Sequence, residues 1–272
     1  DAASRHVAME IAKGAPRAVD RGDHAVSRYG FGTTLAQLPA AFLAPLVERR
    51  FGAGSSQPLF LLAPFAAVLL AAAASGYAAR LAGASASGTS LAVLLAGLGS
   101  PLAAYATSDY SEPLQAAALG GALALAFGAA RETAPGASAR LAAAAGFSAG
   151  FAVLLKSSLA AVAPILLLPL AAASFLRGRR LLAAALGSSV PLAAWLVLEI
   201  VRFGAPFSGY GGEGFTHPLL DGLWRLLVGP NRGLLLFFPA AALAGVALLR
   251  ELRSGVDAPR RFERGAQPER GQ

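Results

Sequence analysis

Apolar runs of membrane-spanning length follow one another along this chain, separated by short polar turns. A bilayer core needs roughly 20 apolar residues in a helix. In lipid only helices and closed barrels satisfy their own backbone hydrogen bonds. These runs are continuous rather than alternating, which selects helices over barrel strands. They are rich in Ala and Leu, both strong helix formers. Composition agrees: 56% of the residues are hydrophobic and 14% charged, where a soluble domain carries about a quarter charged residues. The expected fold class is therefore all-α, a polytopic transmembrane helical bundle with interfacial amphipathic helices in its outer loops.

About seven spans are expected, at 58–79, 89–106, 113–130, 140–155, 158–176, 181–201 and 233–249. The fourth and fifth are short and meet at the turn Lys156-Ser157-Ser158. Orientation follows from loop Lys and Arg, which stay cytoplasmic. Arg80, Arg131, Arg140, Arg177, Arg179, Arg180 and the tail from Arg250 lie on one set of connections, and Lys156, Arg202, Arg225 and Arg232 on the other. The first set is assigned to the cytoplasm. Segment 1–57, the turns 107–112 and 156–158, and the loop 202–232 then face outward, and they hold most of the carboxylates. The expected organisation is an outer segment 1–57, a transmembrane domain 58–250, and a disordered basic cytoplasmic tail 251–272. Residues 33–48 are apolar but short and broken by Pro39 and Pro45, so they are read as a helix lying in the interface.

The absence of cysteine excludes disulfides, thiolate metal sites and cysteine catalysis. The formal net charge of +8 would suggest nucleic-acid binding in a soluble protein. Here membrane topology explains it, and no nucleic-acid partner is expected. The chain opens on Asp1 without an initiator Met and reads as part of something longer, with a leading span missing.

Four segments carry residues suited to chemistry. Asp1 precedes an amphipathic stretch, Ala2 to Lys13, with Val7, Ala8 and Ile11 on its apolar face. It reads as a general base or metal-binding carboxylate, or as a plain helix N-cap. Ser108-Asp109-Tyr110-Ser111-Glu112-Pro113 joins two spans. Pro113 suits a first helical turn, and Asp109 and Glu112 lie where the helix dipole favours anions. Lys156 is the one cation in its turn, fit to hold a phosphate or to snorkel at a helix end. The loop 202–232 has a glycine-rich stretch around Tyr210 and Glu213, suited to a substrate lid. His217 belongs with that lid, since no partner His or Cys stands at metal spacing. Leu219, Leu220, Leu223, Trp224 and Leu227 form an interfacial apolar face. Arg232 precedes the last span, where a guanidinium and free N–H groups can share an anion.

In this order the segments resemble the GT-C superfamily, membrane glycosyltransferases of the protein mannosyltransferase and aminoarabinose transferase type. The resemblance rests on Asp1 with its amphipathic helix, Ser27-Arg28-Tyr29-Gly30-Phe31-Gly32, Ser111-Glu112-Pro113-Leu114, Leu155-Lys156-Ser157 and Gly229-Pro230-Asn231-Arg232-Gly233-Leu234, over residues 1–250. It implies transfer of a sugar from a polyprenyl-phosphate donor to a glycan, lipid or protein acceptor at the outer leaflet of the plasma membrane; the high Ala, Gly and Arg content points separately to a bacterium with GC-rich DNA. It implies Asp1 and Glu112 as catalytic carboxylates, and Lys156 and Arg232 on the donor phosphate. Asp109, Tyr110, Tyr210, Glu213 and His217 would line the substrate site, with a divalent metal an open question. Two departures stand out: Asp1 is followed by Ala2 rather than a second acid, and family members are longer. A transporter or flippase of lipid-linked sugars, or an inactive truncated copy, is the alternative expectation.

Overall fold

The computed structural model describes residues 18–20, 25–27, 31–107, 111–171, 176–204 and 218–228. The chain divides into two units, Asp1–Glu213 and Gly214–Gln272. The first opens with a feature the sequence reading did not anticipate, an antiparallel ribbon of β1 (Ala18–Asp20) and β2 (Ala25–Ser27), with Val19 opposite Val26. All else that is described there is helix or turn.

α1 (Phe31–Phe51) is a single helix through Pro39 and Pro45, longer than the expected 33–48. Gly52, at φ 97°, ends it, with its N–H donating to Glu48 O at 2.9 Å. α2 is Gln57–Leu81, α5 Glu112–Arg131, α6 Pro135–Leu155 and α8 Arg177–Phe203. The first three of these have Pro in the opening turn, where its missing N–H costs nothing and its fixed φ is already helical. α8 ends on Gly204 at φ 82°, the left-handed cap that glycine adopts without strain. Among the described residues these four helices are long and apolar enough to cross a membrane. They coincide with the expected spans 58–79, 113–130, 140–155 and 181–201.

Two expected spans are not continuous helices. Residues 89–106 fall into α3 (Ala86–Gly97) and α4 (Leu102–Tyr105). Gly99 and Pro101 break the ladder between them. Ser100 bridges the break, its Oγ donating to Ala96 O at 2.6 Å and accepting from Leu102 N at 3.2 Å. The described residues of 158–176 fall into a 3-10 turn (Ser157–Ala161), α7 (Ala163–Leu166) and a second 3-10 turn (Leu168–Ala171), with Pro164 and Pro169 near the starts of the last two. Short backbone bonds still satisfy this segment, from Leu159 N to Lys156 O through Leu170 N to Leu167 O. The expected span 233–249 lies outside the described residues.

α2, α5, α6 and α8 pack in a row, with α3 against the far side of α2. The core is built of alanine: Ala67, Ala71, Ala122, Ala126, Ala129, Ala142, Ala145 and Ala152 are buried, while Leu62, Leu70, Leu182 and Val190 are each about 60% exposed or more. A water-soluble protein places its large apolar side chains inside. This chain does the reverse, as expected where lipid solvates leucine and small residues let helices approach.

The closest approach joins α6 to α8. A Cβ on Gly146 would lie 1.9 Å from Ala184 O, and one on Gly187 2.0 Å from Ala143 O. Gly150 faces Ser188 and Pro191 in the same way. Arg180 on Ser138, Ala184 on Gly146, and Ser188 and Pro191 on Gly150 advance together along both helices, so α6 and α8 are parallel, and the chain between them must return through the depth of the bundle. It does so through three clusters in order. Leu159 packs with Ala118, Ala152 and Leu155, Ala163 with Ala122, Ala149 and Val153, and Leu170 with Ala126, Ala129, Ala142 and Ala145.

Candidate active site

α5 and α6 are antiparallel, tied by Ser148 Oγ donating to Ala118 O at 2.8 Å and by Ser138 Oγ donating to Ala129 O at 2.9 Å. This pairing brings the start of α5 beside the end of α6. Leu114, two residues after Glu112, and Leu155, next to Lys156, belong to one cluster. Two of the site residues expected from sequence therefore share one end of the bundle.

Glu112 is the first residue of α5. Placing an acid there follows from the turn that precedes it, with Pro113 locking the next residue into helix. The carboxylate gains from the positive end of the helix dipole. Its Oε2 is nevertheless buried and has no hydrogen-bond partner. Among the described residues near it, Gln115 and Ser111 are engaged with each other, Gln115 Nε2 donating to Ser111 Oγ at 2.6 Å. A buried polar atom without a partner costs about 1–3 kcal/mol, and Oε2 of Glu112 is such an atom.

Lys156 is exposed and closes α6 in an extended conformation. Its N–H donates to Ala152 O and its carbonyl accepts from Leu159 N, both at 3.0 Å. The backbone is thus fixed while the ammonium group remains at the surface, where it can meet an anion. Gly32 joins this end from α1. A Cβ there would lie 2.9 Å from Leu155 Cδ2 and 3.0 Å from Leu155 N. Gly32 is the last residue of the Ser27–Gly32 run, so that run leads into the same end as Glu112 and Lys156.

Asp1, Asp109, Tyr110, Tyr210, Glu213, His217 and Arg232 lie outside the described residues. Among the described residues, no group of three or more His, Asp or Glu side chains is arranged to hold a metal ion. In the second unit, α9 (Leu219–Val228) is the helix expected in the loop, with Asp221 in its first turn and Trp224 67% exposed.

The residue that sequence reasoning missed is Arg180. It was read as a topology signal, yet it is buried at the opposite end of the bundle. Its Nε donates to Ser138 Oγ at 2.8 Å and its Nη2 to Glu132 O at 3.1 Å. The α6–α8 seam was also missed, although Gly146 and Gly150 stand at the G-x-x-x-G spacing of close helix pairs. No family model, curated protein or solved structure matches this chain.

Proposed function

We propose that this chain is a membrane glycosyltransferase, or the membrane-embedded part of one, acting on a polyprenyl-phosphate-linked sugar. The observation that carries the reading is the buried, partnerless Oε2 of Glu112 at the bundle end that also presents Lys156. A carboxylate oxygen held out of water beside a surface cation suits a substrate with a hydroxyl to orient and a phosphate to neutralise. The resemblance to the GT-C superfamily supplies the remaining parts.

In this mechanism the acceptor hydroxyl attacks the anomeric carbon and the bond from that carbon to the phosphate oxygen breaks. Asp1 takes the hydroxyl proton as general base. The sugar leaves with inverted configuration, and polyprenyl phosphate is released as the anion. That leaving group is a weak base and needs no acid. Lys156 and Arg232 stabilise its charge, while Glu112 orients the acceptor or holds a divalent metal. The site faces outward from a bacterial plasma membrane. The broken segments at 86–105 and 157–171, together with 233–249, complete about seven crossings.

One observation favours a second reading, a transporter of lipid-linked sugars. Residues 157–171 return through the bundle as discontinuous turns, and broken helices at mid-membrane are common in transporters. Membranes containing the chain, supplied with labelled polyprenyl-phosphate hexose and pentose donors, separate the two. Covalent transfer that disappears in Asp1→Asn and Glu112→Gln supports the enzyme. Movement of the donor across the bilayer without transfer supports the transporter and removes the mechanism.

A further inference from the structure

The opposite end of the bundle carries a second polar centre that the transfer reaction does not use. α6 and α8 are parallel and in close contact, so their N-termini lie side by side and point the same way. A helix leaves its first N–H groups without intrahelical acceptors and carries a partial positive charge there. The α6 terminus has one carboxylate at hand, Glu132, whose Oε1 accepts from Ala134 N, and the α8 first turn has none. Ala134 and Leu176 occupy the cap positions with no side-chain cap, and neither first turn contains an acid. The first turn of α8 instead holds Arg177, Arg179 and Arg180, which is the unfavourable sign at that position. Arg131 and Arg140 are exposed at the same end of α5 and α6.

Among the described residues of α5 to α8, carboxylates are scarce. Glu132 is the one carboxylate between Glu112 and Glu199 in the sequence. Its Oε1 already accepts from Ala134 N at 2.9 Å.

The independent sign of a ligand is Arg180 itself. Its side chain is 3% exposed, and its bonds go only to neutral acceptors, Ser138 Oγ and Glu132 O. Nη1 is buried with no hydrogen-bond partner. The guanidinium is planar and rigid, so anchoring Nε on Ser138 of α6 and Nη2 on Glu132 O of the α5–α6 turn fixes Nη1 beside the first turns of the two helices. A buried charge without a counterion is costly. A Cβ built on Gly136 or Gly178 would meet nothing within 4 Å, so the first turns of both helices are open beside these glycines.

We propose that Arg180, with the first turns of α6 and α8, binds a phosphate ester. Arg180 Nη1 is its innermost donor, and Arg177, Arg179 and the uncapped N–H groups of the α8 first turn form its mouth. The shared chemistry is a phosphate mono- or diester, presented either by an anionic lipid headgroup or by a free phosphate. The site is independent of the transfer reaction, and its failure leaves that reading untouched.

The test is native mass spectrometry of the detergent-solubilised chain, titrated with phosphatidylglycerol, phosphatidylcholine and inorganic phosphate. The variants are Arg177→Gln/Arg179→Gln, Arg180→Lys and, as a control at the exposed end of α2, Arg80→Gln. Phosphatidylglycerol should bind in preference to phosphatidylcholine. The double variant should lose about thirtyfold in affinity, from two surface cations at about a kcal/mol each, and Arg80→Gln should keep it. The double variant changes exposed side chains only, so it stays informative if Arg180→Lys does not fold. Competition by inorganic phosphate assigns recognition to the phosphate alone, and its absence assigns it to the lipid; both support the site. Equal retention of the two lipids with no binding of phosphate overturns the proposal. So does an affinity loss in Arg80→Gln as large as in the double variant, because the effect would then be diffuse charge.

Discussion

The two ends of the α5–α6 pair are built on opposite principles. At the Glu112 end, packing is aliphatic: Leu114, Ala118, Leu155 and Leu159 fill the space, with Gly32 seated on Leu155. The polar groups are one partnerless carboxylate oxygen and one surface ammonium. At the Arg180 end, a buried guanidinium stitches α8 to Ser138 of α6 and to Glu132 of the α5–α6 turn, and from there past mid-helix a glycine seam brings α6 and α8 to backbone contact. One end is held by soft side-chain contacts. The other is clamped by hydrogen bonds and by backbone contacts that cannot yield. Local stability follows such differences, and regions that bind and move come from the weaker side.

The sharpest way to break this contrast is to wedge the seam. Gly146→Leu places a side chain where its Cβ alone would meet Ala184 O, Ala184 C and Ala184 Cα within 2.8 Å. Those atoms are backbone, so the helices must separate. The expected loss is about 3 kcal/mol or more, read as a fall in the thermal unfolding midpoint in detergent. Gly32→Ala at the other end meets the flexible Leu155 side chain first and should cost about 1 kcal/mol. Equal losses would mean the two ends are equally rigid, and the comparison would fall.

Arg180 comes next. Truncation in Arg180→Ala leaves Glu132 O without its side-chain donor and opens a cavity, a loss of about 2–3 kcal/mol. Arg180→Met keeps the volume and removes the charge. Replacing a buried charge by an apolar isostere is often neutral or stabilising. Met should therefore unfold at a higher temperature than Ala in lipid-free detergent. A Met variant less stable than Ala would show that the guanidinium is needed for structure alone.

The four long helices were legible because each is a run of Ala and Leu that begins at a Pro or at charged residues and ends at Arg, Lys or Gly. Glu112 was placed correctly at a helix start because Pro113 fixes the boundary locally. The breaks were harder to read. Hydropathy over 89–106 and 158–176 is the same whether the backbone is α-helical or alternates with 3-10 turns. Only the interplay of Gly99, Pro101, Pro164 and Pro169 with neighbouring helices decides it. The 18–27 ribbon is two three-residue strands, too short to give a period. Arg180 was misread because burial is a tertiary property: Arg177, Arg179 and Arg180 look alike in sequence, and only the third turns toward Ser138. The pairing of α6 with α8 was signalled by Gly146 and Gly150, but a G-x-x-x-G spacing does not name its partner.

Glu112→Gln sharpens the contrast at the softer end. The amide keeps the shape of the side chain and removes the charge from a site where one oxygen has no partner. Folding stability should change by no more than about 1 kcal/mol, and in the stabilising direction, because the unmet demand of that oxygen falls. Transfer activity should disappear. Substantial destabilisation would show that the carboxylate is engaged in the fold rather than held for a substrate.

Lys156→Gln is the smallest expected effect and the most discriminating for the donor phosphate. The side chain is exposed and its backbone bonds to Ala152 and Leu159 persist in the variant. Stability should stay within about 0.5 kcal/mol, the usual range for a surface change away from special features. If the ammonium only snorkels at the membrane surface, transfer kinetics should be unchanged as well. If it holds the donor phosphate in the ground state, KM for the donor should rise severalfold with kcat preserved. If it acts mainly on the charge that develops as the phosphate leaves, kcat and kcat/KM should fall together. Steady-state kinetics at varied donor concentration distinguishes these three outcomes in a variant that should fold like the parent, and it tests Lys156 without disturbing Glu112.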